Sequence, residues 1–511
     1  MLRIEEIHDA DMLRQVAVLL ERENQRLHDR LQQLTTELAQ LRGQDATAPQ
    51  IHLEFLRELL AQRERALFGD SSEKRSRAGD GRRPPPAPPT GHGPKAQPTL
   101  PLVEQRHTLS GAERTCPQCG GTLTELRGQT EDADEVTVVE RQFVLVRHRR
   151  QKYRCRCSGC VATAPGPLRL ATRPDARGAR YSPEFAIEVA VSKYADHLPL
   201  ERQVRILRRE GLLVDSQTLW DQLATVAEVL RPTYEALGQY VLQAPVVGAD
   251  ETWWRLMERP VAKRWWVWSV TREDAVVYRI LETRSQHAAR QALAGFTGVV
   301  VVDGYGAYDA LVRADPGRGI TLVHCWAHVR RKFIEAEAHY PEPCRAVLDL
   351  IGQLYAVERE APSLPAMGGA SEVMRDELLA QRRRLRDERS RSIVGEIQTW
   401  ALAQRALPES SLGKAIGYLL GLWRGLTRFL DDPRIPLDNN RTERGLRGVV
   451  LGRKNHYGSR SRRGLEVAAL FYSLIESAKL CGVEPKRYLL TATRAALADR
   501  AAVTLPHTLL A

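Results

Sequence analysis

Three acidic residues stand in three short contexts that suit one metal site: Asp250 in VVGADETWW, Asp303 in GVVVVDGYGAY and Glu443 in PLDNNRTERGLR. Two divalent cations on phosphate oxygens need a few fixed carboxylates, and strand ends hold carboxylates well. The apolar run 299–302 reads as a buried strand with Asp303 at its end, followed by Gly304 and Gly306, so this aspartate leaves the core just as the chain turns. Asp438, five residues before Glu443, competes for the third acidic role, although its place after Pro436 at a helix start suits an N-cap. Glu443 has its own structural alternative, an i,i+4 ion pair with Arg447. From Asp438 to Arg463 eight Arg and Lys accompany only two acids. Arg444, Arg447, Arg453, Lys454, Arg460, Arg462 and Arg463 are therefore expected to position phosphates, with a solvated basic loop as the alternative.

A second chemistry lies upstream. Cys116 and Cys119 form CPQCG, and about forty residues later CRCSGC supplies Cys155, Cys157 and Cys160. Two CxxC knuckles at that separation read as a four-thiolate structural zinc site, with Cys116, Cys119, Cys157 and Cys160 as ligands and Cys155 as a spare or substitute thiol. Residues 136–146 alternate as a strand pair would, and His148, Arg149, Arg150 and Lys152 add a basic strip suited to DNA phosphates. Cys325 and His328 form a CxxH without a partner knuckle, which reads as a core cysteine beside a packed or DNA-facing histidine.

The elements that must carry these residues follow from periodicity. Residues 245–249, 264–271 and 275–281 read as three successive strands, 286–294 as a helix, and 299–302 and 320–323 as a fourth and fifth strand. That is the order of a ribonuclease-H-like fold, in which the first and fourth strands are neighbours and Asp250 would face Asp303. Trp253, Trp254, Trp265, Trp266 and Trp268 read as core and sheet packing, with base stacking by Trp253 or Trp254 as the alternative. Upstream, residues 182–237 are helical in pattern, with helix starts at Ser182-Pro183-Glu184 and at Ser216 as N-cap, and Gly211 between two helices as in a helix-turn-helix.

At the N-terminus Leu13, Leu20, Leu27, Leu34 and Leu41 keep a strict seven-residue spacing, a coiled-coil seam with Asn24 at an a position, which predicts a homodimer or higher multimer. A second helix is expected over 53–67, and the Pro-rich and basic stretch that follows reads as an extended linker. The 511-residue chain is too long for one core and carries a formal charge of +12, which points to a polyanionic partner. It has neither an apolar run of membrane-spanning length nor a charged-then-apolar leader, so no membrane partner is expected and a cytoplasmic location is. Five of its eight cysteines cluster as a metal site would in a reducing compartment.

GADET, VVDGYGAY, HCWAHVRRKF, PLDNNRTERGLR, GRKNHYGS and SLIESAKLCGVEP, in that order, resemble the transposases of the insertion sequence 66 family, and the resemblance covers nearly the whole chain. It implies a DDE transposase of bacterial, nucleoid-associated location in which Asp250, Asp303 and Glu443 match the three acids and bind two Mg2+ or Mn2+ beside one structural Zn2+. It also implies terminal-repeat and target DNA as partners, small accessory proteins of the same element, and a helical insertion before the glutamate. The expected fold class is multidomain α+β, laid out as a coiled-coil segment (1–69), a linker (70–106), a zinc module (107–168) and a helical region (169–243). The catalytic domain follows in two parts (244–328 and 433–480) around the insertion (329–432), with a tail (481–511). Two other functions fit parts of the pattern: a zipper and zinc DNA-binding protein with an inactive catalytic domain, and a nuclease of ribonuclease-H-like order without strand transfer.

Overall fold

The computed structural model describes residues 47–68, 104, 107–110, 113–114, 116–125, 141–154, 160–170, 180–258, 262–364 and 371–509, with Arg26 and Asp29. The zipper leucines, nearly all of the 70–106 linker, and Cys155 and Cys157 lie outside the described residues. Two compact units result, one formed by Met1–Arg63 with Phe143–Ala511 and the other by Glu64–Gln142. The second expected helix is present as α1 (Thr47–Phe68). Of the strand pair expected over 136–146, residues 136–140 lie outside the described residues and 141–146 are irregular; a short hairpin comes later, Lys152–Arg154 against Val161–Thr163. Val144, Leu145 and Val146 are all exposed there, so alternation found no surface on which to bury one face.

A five-stranded sheet organises the larger unit. Its strands are β1 (Val246–Leu256), β2 (Lys263–Thr271), β3 (Val276–Leu281), β4 (Gly298–Val302) and β5 (Ile320–His324), in the spatial order β3-β2-β1-β4-β5. β1 to β3 are antiparallel neighbours, whereas β4 runs parallel to β1 and β5 parallel to β4. The first and fourth strands are thus adjacent, as the sequence predicts.

β1 is longer than expected, because the polar pair Asp250-Glu251 interrupts the alternation that Trp254 and Leu256 then resume in the core. It pairs with β4 only over Val246–Gly248, so from Ala249 onward its outer edge has no neighbouring strand. Side chains and one returning segment satisfy that edge. Asn439 Nδ2 donates to the Ala249 carbonyl at 2.8 Å, Arg453 donates to the Trp253 carbonyl, and Ser459 N–H donates to the Arg255 carbonyl at 2.9 Å. Gly458, at φ +121°, allows this stitch, since a Cβ there would lie 2.1 Å from the Arg255 oxygen. Ser459 Oγ also accepts the buried Trp254 indole N–H at 3.1 Å. Ser459→Ala is expected to cost about 1–3 kcal/mol, because the indole N–H stays buried without an acceptor. Chemical denaturation reads that loss, and an unchanged midpoint would show that the indole finds another acceptor.

Helices cover both faces. α2 (Pro183–Tyr194), α3 (Leu200–Arg209) and α4 (Ser216–Leu242) share one hydrophobic core with the sheet and with α14 (Arg462–Leu480) and α15 (Pro485–Ala498). Ser182 caps α2 as expected, but Asp215 rather than Ser216 caps α4: Asp215 Oδ1 accepts Thr218 N–H at 2.6 Å. Gly211 sits at φ +84° between α3 and α4, yet eleven residues of α4 are buried, so this helix serves the core along its length. α14 completes the outer strand: Ser473 and Ser477, one turn apart, accept the N–H groups of Tyr278 and Val276 at 2.8 and 2.9 Å. SLIESAKL is therefore a hydroxyl ladder for the free edge of β3.

Between β4 and α7 (Trp326–Ala336) the chain passes through α6 (Gly306–Ala314) and β5, α5 (Gln286–Ala292) having preceded β4. The expected insertion is helical: α8 (Pro341–Glu360), α9 (Glu372–Leu385), α10 (Arg391–Ala403), α11 (Ser411–Gly421) and α12 (Trp423–Thr427) build a second core with α7, Val301 and Val323. Buried Arg386 closes it, pairing with Glu358 at 2.7 and 2.9 Å and donating to the carbonyls of Phe429 and Ile435. A guanidinium fully occupied in this way fixes the segment that returns to the sheet. That segment leads into α13 (Asn440–His456), which carries Glu443.

Candidate active site

The register brings the two aspartates together. Gly248 pairs with Val301 in the parallel β1–β4 ladder, and two residues further along each strand stand Asp250 and Asp303. Side chains two residues apart share a face, so the register sets Asp250 and Asp303 on the same face, just past the last paired residues. Asp250 is not at the end of its strand, as the sequence suggests, but at the point where pairing with β4 stops.

Glu443 reaches them because α13 crosses β1 at Gly248. A Cβ on Gly248 would lie 2.1 Å from Thr442 Oγ1 and 2.4 Å from Asn439 Oδ1, so only glycine admits the helix this close. Asn439 locks the crossing, with its amide on the Ala249 carbonyl and its N–H on Cys325 Sγ at 3.2 Å. The N-cap position of α13 is Asn439, not Asp438, whose carboxylate instead accepts Asn440 N–H at 3.0 Å and the Asn440 side-chain amide. Asp438 is thus spent on its own turn. The Glu443 carboxylate lies 3.6 Å from His328 Nδ1 and 3.6 Å from Arg331 of α7, not on Arg447.

Charge at this point is unbalanced. Burial first, then the charge of Glu251 and those of Asp303 and Glu443, push the Asp250 carboxyl up to about 7, against the pull of one backbone N–H from Glu251. Glu251 itself points into the other face, where Arg284 bonds it at 2.7 Å and Tyr308 at 2.8 Å, so its charge is already answered. Glu443 Oε1 is buried without a hydrogen-bond partner. Neighbouring hard oxygen donors, one of them pushed toward protonation, fit a divalent cation in kind. Asp303 is held by the fold around it: its Oδ1 accepts Tyr305 N–H at 2.9 Å, its carbonyl accepts the Tyr418 hydroxyl of α11, and Gly304 follows at φ +89°.

The comparisons with known proteins now bear on this site. Residues 178–467 match the family described as "Transposase IS66 family", which spans all three acids. The chain belongs to the IS66 transposase family. Three relatives from Sinorhizobium fredii (strain NBRC 101917 / NGR234) are each named only "Uncharacterized protein": y4jD is 32% identical over 74% of this chain and 73% of its own. The relatives y4hP and y4qI are 27% and 31% identical over 76% and 73% of this chain, and over 71% and 69% of theirs. An IS66 member is expected to act on DNA by transposition, and among the described residues no helix is long and apolar enough to cross a membrane.

Residues 113–158 match a second IS66 description, "zinc-finger binding domain of transposase IS66". The match takes in Cys116, Cys119, Cys155 and Cys157 and stops before Cys160. Cys116 and Cys119 form a tight turn in which Gly120 N–H donates to the Cys116 carbonyl at 2.9 Å and Gly120 adopts φ +72°. Backbone N–H groups of Gln118 and Cys119 hold the Cys116 thiol below its usual range, as a thiolate ligand requires. Cys160 is exposed in the other unit. Purified IS66 chain is expected to contain one zinc per chain, and Cys116→Ser to lose it. Elemental analysis reads both, and zinc retained in the serine variant would exclude Cys116 as a ligand.

The basic residues divide. Arg444, Arg447, Lys454, Arg460, Arg462 and Arg463 are exposed, while Arg453 is half-buried, donates to Thr252 Oγ1 at 3.0 Å and lies over the Trp253 ring. Cys325 is buried and accepts from Asn439, and His328 faces Glu443 rather than solvent; the three donor atoms of Cys325, His328 and Glu443 lie within 4.8 Å of one another. Sequence reasoning missed Gly248, Asn439 and Thr442, which set the depth at which Glu443 enters. Their signal was the motif itself, since a structural asparagine and a contact glycine carry no chemistry to mark them.

Proposed function

We propose that this chain is a DDE-type DNA transposase that cleaves the ends of its element and joins them to target DNA, with Asp250, Asp303 and Glu443 as the ligands of two Mg2+ or Mn2+ ions. The observation that carries the reading is that β1, the end of β4 and α13 bring Asp250, Asp303 and Glu443 near one another, with the Asp250 carboxyl pushed up to about 7 by burial first and by neighbouring acidic charge, that of Asp303 and Glu443 included. The strand order β3-β2-β1-β4-β5 supports a ribonuclease-H-like catalytic domain interrupted by the α8–α12 insertion.

Bound divalent cations would supply Lewis acidity at the attacking and leaving oxygens of an in-line displacement on a phosphodiester. The protein holds the carboxylates at fixed separation. Asp303 is oriented by Tyr305 N–H and braced by Tyr418, Asp250 is set by the strand register, and Glu443 is delivered by the Gly248 crossing. Arg444, Arg447, Lys454, Arg460, Arg462 and Arg463 offer exposed cations for the phosphates on either side. No covalent protein intermediate is needed, so water can attack in the cleavage step and a 3′-hydroxyl in the joining step at the same site. A homodimer through the Leu13–Leu41 zipper would bring two ends together, and the zinc module would add DNA contacts. Nucleoid location and accessory proteins follow from the same reading.

The test is incubation with DNA bearing the terminal repeats of the element and Mg2+. Cleavage followed by joining is the expected result. Cleavage without joining would reduce the protein to a nuclease, and binding alone would make it a DNA-binding protein with an inactive catalytic domain.

A further inference from the structure

Cys325 and His328 stand on the first turn of α7. Cys325 is at the N-cap position, and His328 N–H donates to its carbonyl at 3.2 Å, which closes the turn. Residues three apart on a helix share a side, so thiol and imidazole both meet the start of α13, where Asn439 and Glu443 arrive. The Cys325 sulfur, a His328 ring nitrogen and a Glu443 carboxylate oxygen all lie within 4.8 Å of one another.

Hydrogen bonding leaves this group unsettled. Nδ1 of His328 and Oε1 of Glu443 are both shut off from solvent, and neither has a hydrogen-bond partner. They face each other at 3.6 Å, too far for a hydrogen bond. Two ligand atoms of one tetrahedral ion, each about 2.0–2.3 Å from it, stand roughly 3.3–3.6 Å apart. Arg331 is 3.6 Å from the other Glu443 oxygen, so Oε1 is the one left over. The Asn439 N–H on Cys325 Sγ, at 3.2 Å, is the kind of outer hydrogen bond that orients a thiolate ligand.

The donor set selects the ion. Burial pushes the Cys325 thiol up to about 12, so an ion bound here must displace its proton. Mg2+ binds sulfur too weakly to do so, whereas Zn2+ and Co2+ accept a mixed set of thiolate, imidazole and carboxylate. We propose that Cys325, His328 and Glu443 form a second metal site, separate from the cysteine module, that takes one thiophilic divalent ion and leaves its fourth position to water. The side chains of His328 and Glu443 are 20% and 26% exposed, which gives the ion a way in past the buried cysteine. With three protein ligands the site is open and exchangeable, unlike a closed four-thiolate site. The inference rests on this donor geometry and not on the transposase reading, although Glu443 serves in both.

The experiment titrates the full-length protein, with the zinc of its cysteine module in place, with Co2+. One further Co2+ per chain is expected to bind, with the intense visible bands of a tetrahedral ion and a sulfur-to-cobalt charge-transfer band in the near ultraviolet. Cys325→Ser should lose the charge-transfer band, and Cys116→Ser, which disables the module, should keep it. His328→Gln and Glu443→Gln should each weaken Co2+ binding by more than about tenfold. Thermal melts check that the variants fold, and His328→Gln, at a half-buried position, carries the test if Cys325→Ser does not fold. No charge-transfer band in wild type, a band that survives Cys325→Ser, or unchanged affinity in both glutamine variants would overturn the site. Co2+ uptake as described in a protein that neither cleaves nor joins DNA would keep this site and remove the transposase reading, and cleavage with joining in a protein without the uptake would do the reverse.

Discussion

Replacing Asp303 with asparagine is expected to lower metal-dependent strand cleavage by more than about a thousandfold, with DNA binding changed by no more than about twofold. The amide oxygen can still accept Tyr305 N–H, so the turn after β4 should survive the change. What is lost is one negative charge and one hard ligand, and a cation bridging two carboxylates depends on both. Asp250→Asn should be as damaging to cleavage but opposite in its effect on the metal-free fold. The Asp250 carboxyl is pushed up to about 7, above its unfolded value of about 4, so the folded protein binds the extra proton. Its contribution to stability is present below about 4 and is lost as pH rises toward 7, where the ionised group sits buried among like charges. At pH 8 without metal, Asp250→Asn should therefore melt higher than wild type, while Asp303→Asn should not gain in the same way. Thermal melts beside cleavage assays separate the two, and Asp303→Asn with wild-type cleavage would remove this residue from the site. Glu443→Gln should follow the aspartate variants in activity, and Asp438→Asn should retain most of it, because the Asp438 carboxylate is occupied by the backbone and side-chain N–H groups of Asn440.

The second large effect is expected from Gly248→Ala, a change of one methyl group at a residue with no chemistry. The added Cβ would meet Thr442 Oγ1 at 2.1 Å and Asn439 Oδ1 at 2.4 Å. Thr442 is a buried, β-branched residue with little rotameric freedom, and the Asn439 amide is tied to the Ala249 carbonyl, so the helix must move rather than the side chains. A shift of the order of 1 Å in a catalytic group costs about a hundredfold in rate, while overpacking of this kind costs about 1–3 kcal/mol in stability. Cleavage should fall far more than the melting temperature suggests. Gly306→Ala, where an added Cβ meets nothing within 4 Å, is the control and should behave as wild type. Normal cleavage by Gly248→Ala would mean that Glu443 need not approach β1 this closely.

The two aspartates were legible in the sequence because the physics that marks them is local. A valine run ending in an aspartate and a glycine announces a strand end, and the strand order alone makes the first and fourth strands neighbours. Glu443 was legible only through the family resemblance. Its place depends on a crossing fixed by Gly248, Asn439 and Thr442 and on an insertion closed by Arg386, and such contacts bridge long stretches of sequence without any periodic signal. The same limit applies to the length of β1. An Asp-Glu pair ends a strand in a local reading, yet the hairpin continues because Trp254 finds Ser459 some two hundred residues away. Cap assignments at Ser216 and Asp438 failed by one residue each, where two polar residues in succession could serve and tertiary contacts chose between them. The coiled coil, linker and complete zinc ligand set remain expectations from the sequence.

The claim that three acids form one metal site can be tested without knowing the DNA sequence that the protein cuts. Fe2+ loaded in place of Mg2+ and activated with ascorbate cuts the polypeptide where the metal sits, and the cut positions can be read by mass spectrometry. The expected cuts cluster around Asp250, Asp303 and Glu443 together, disappear under excess Mg2+ and are lost at all three places in Asp303→Asn. Cuts confined to the cysteine module, or cuts near Asp250 and Asp303 without any at Glu443, would contradict the account.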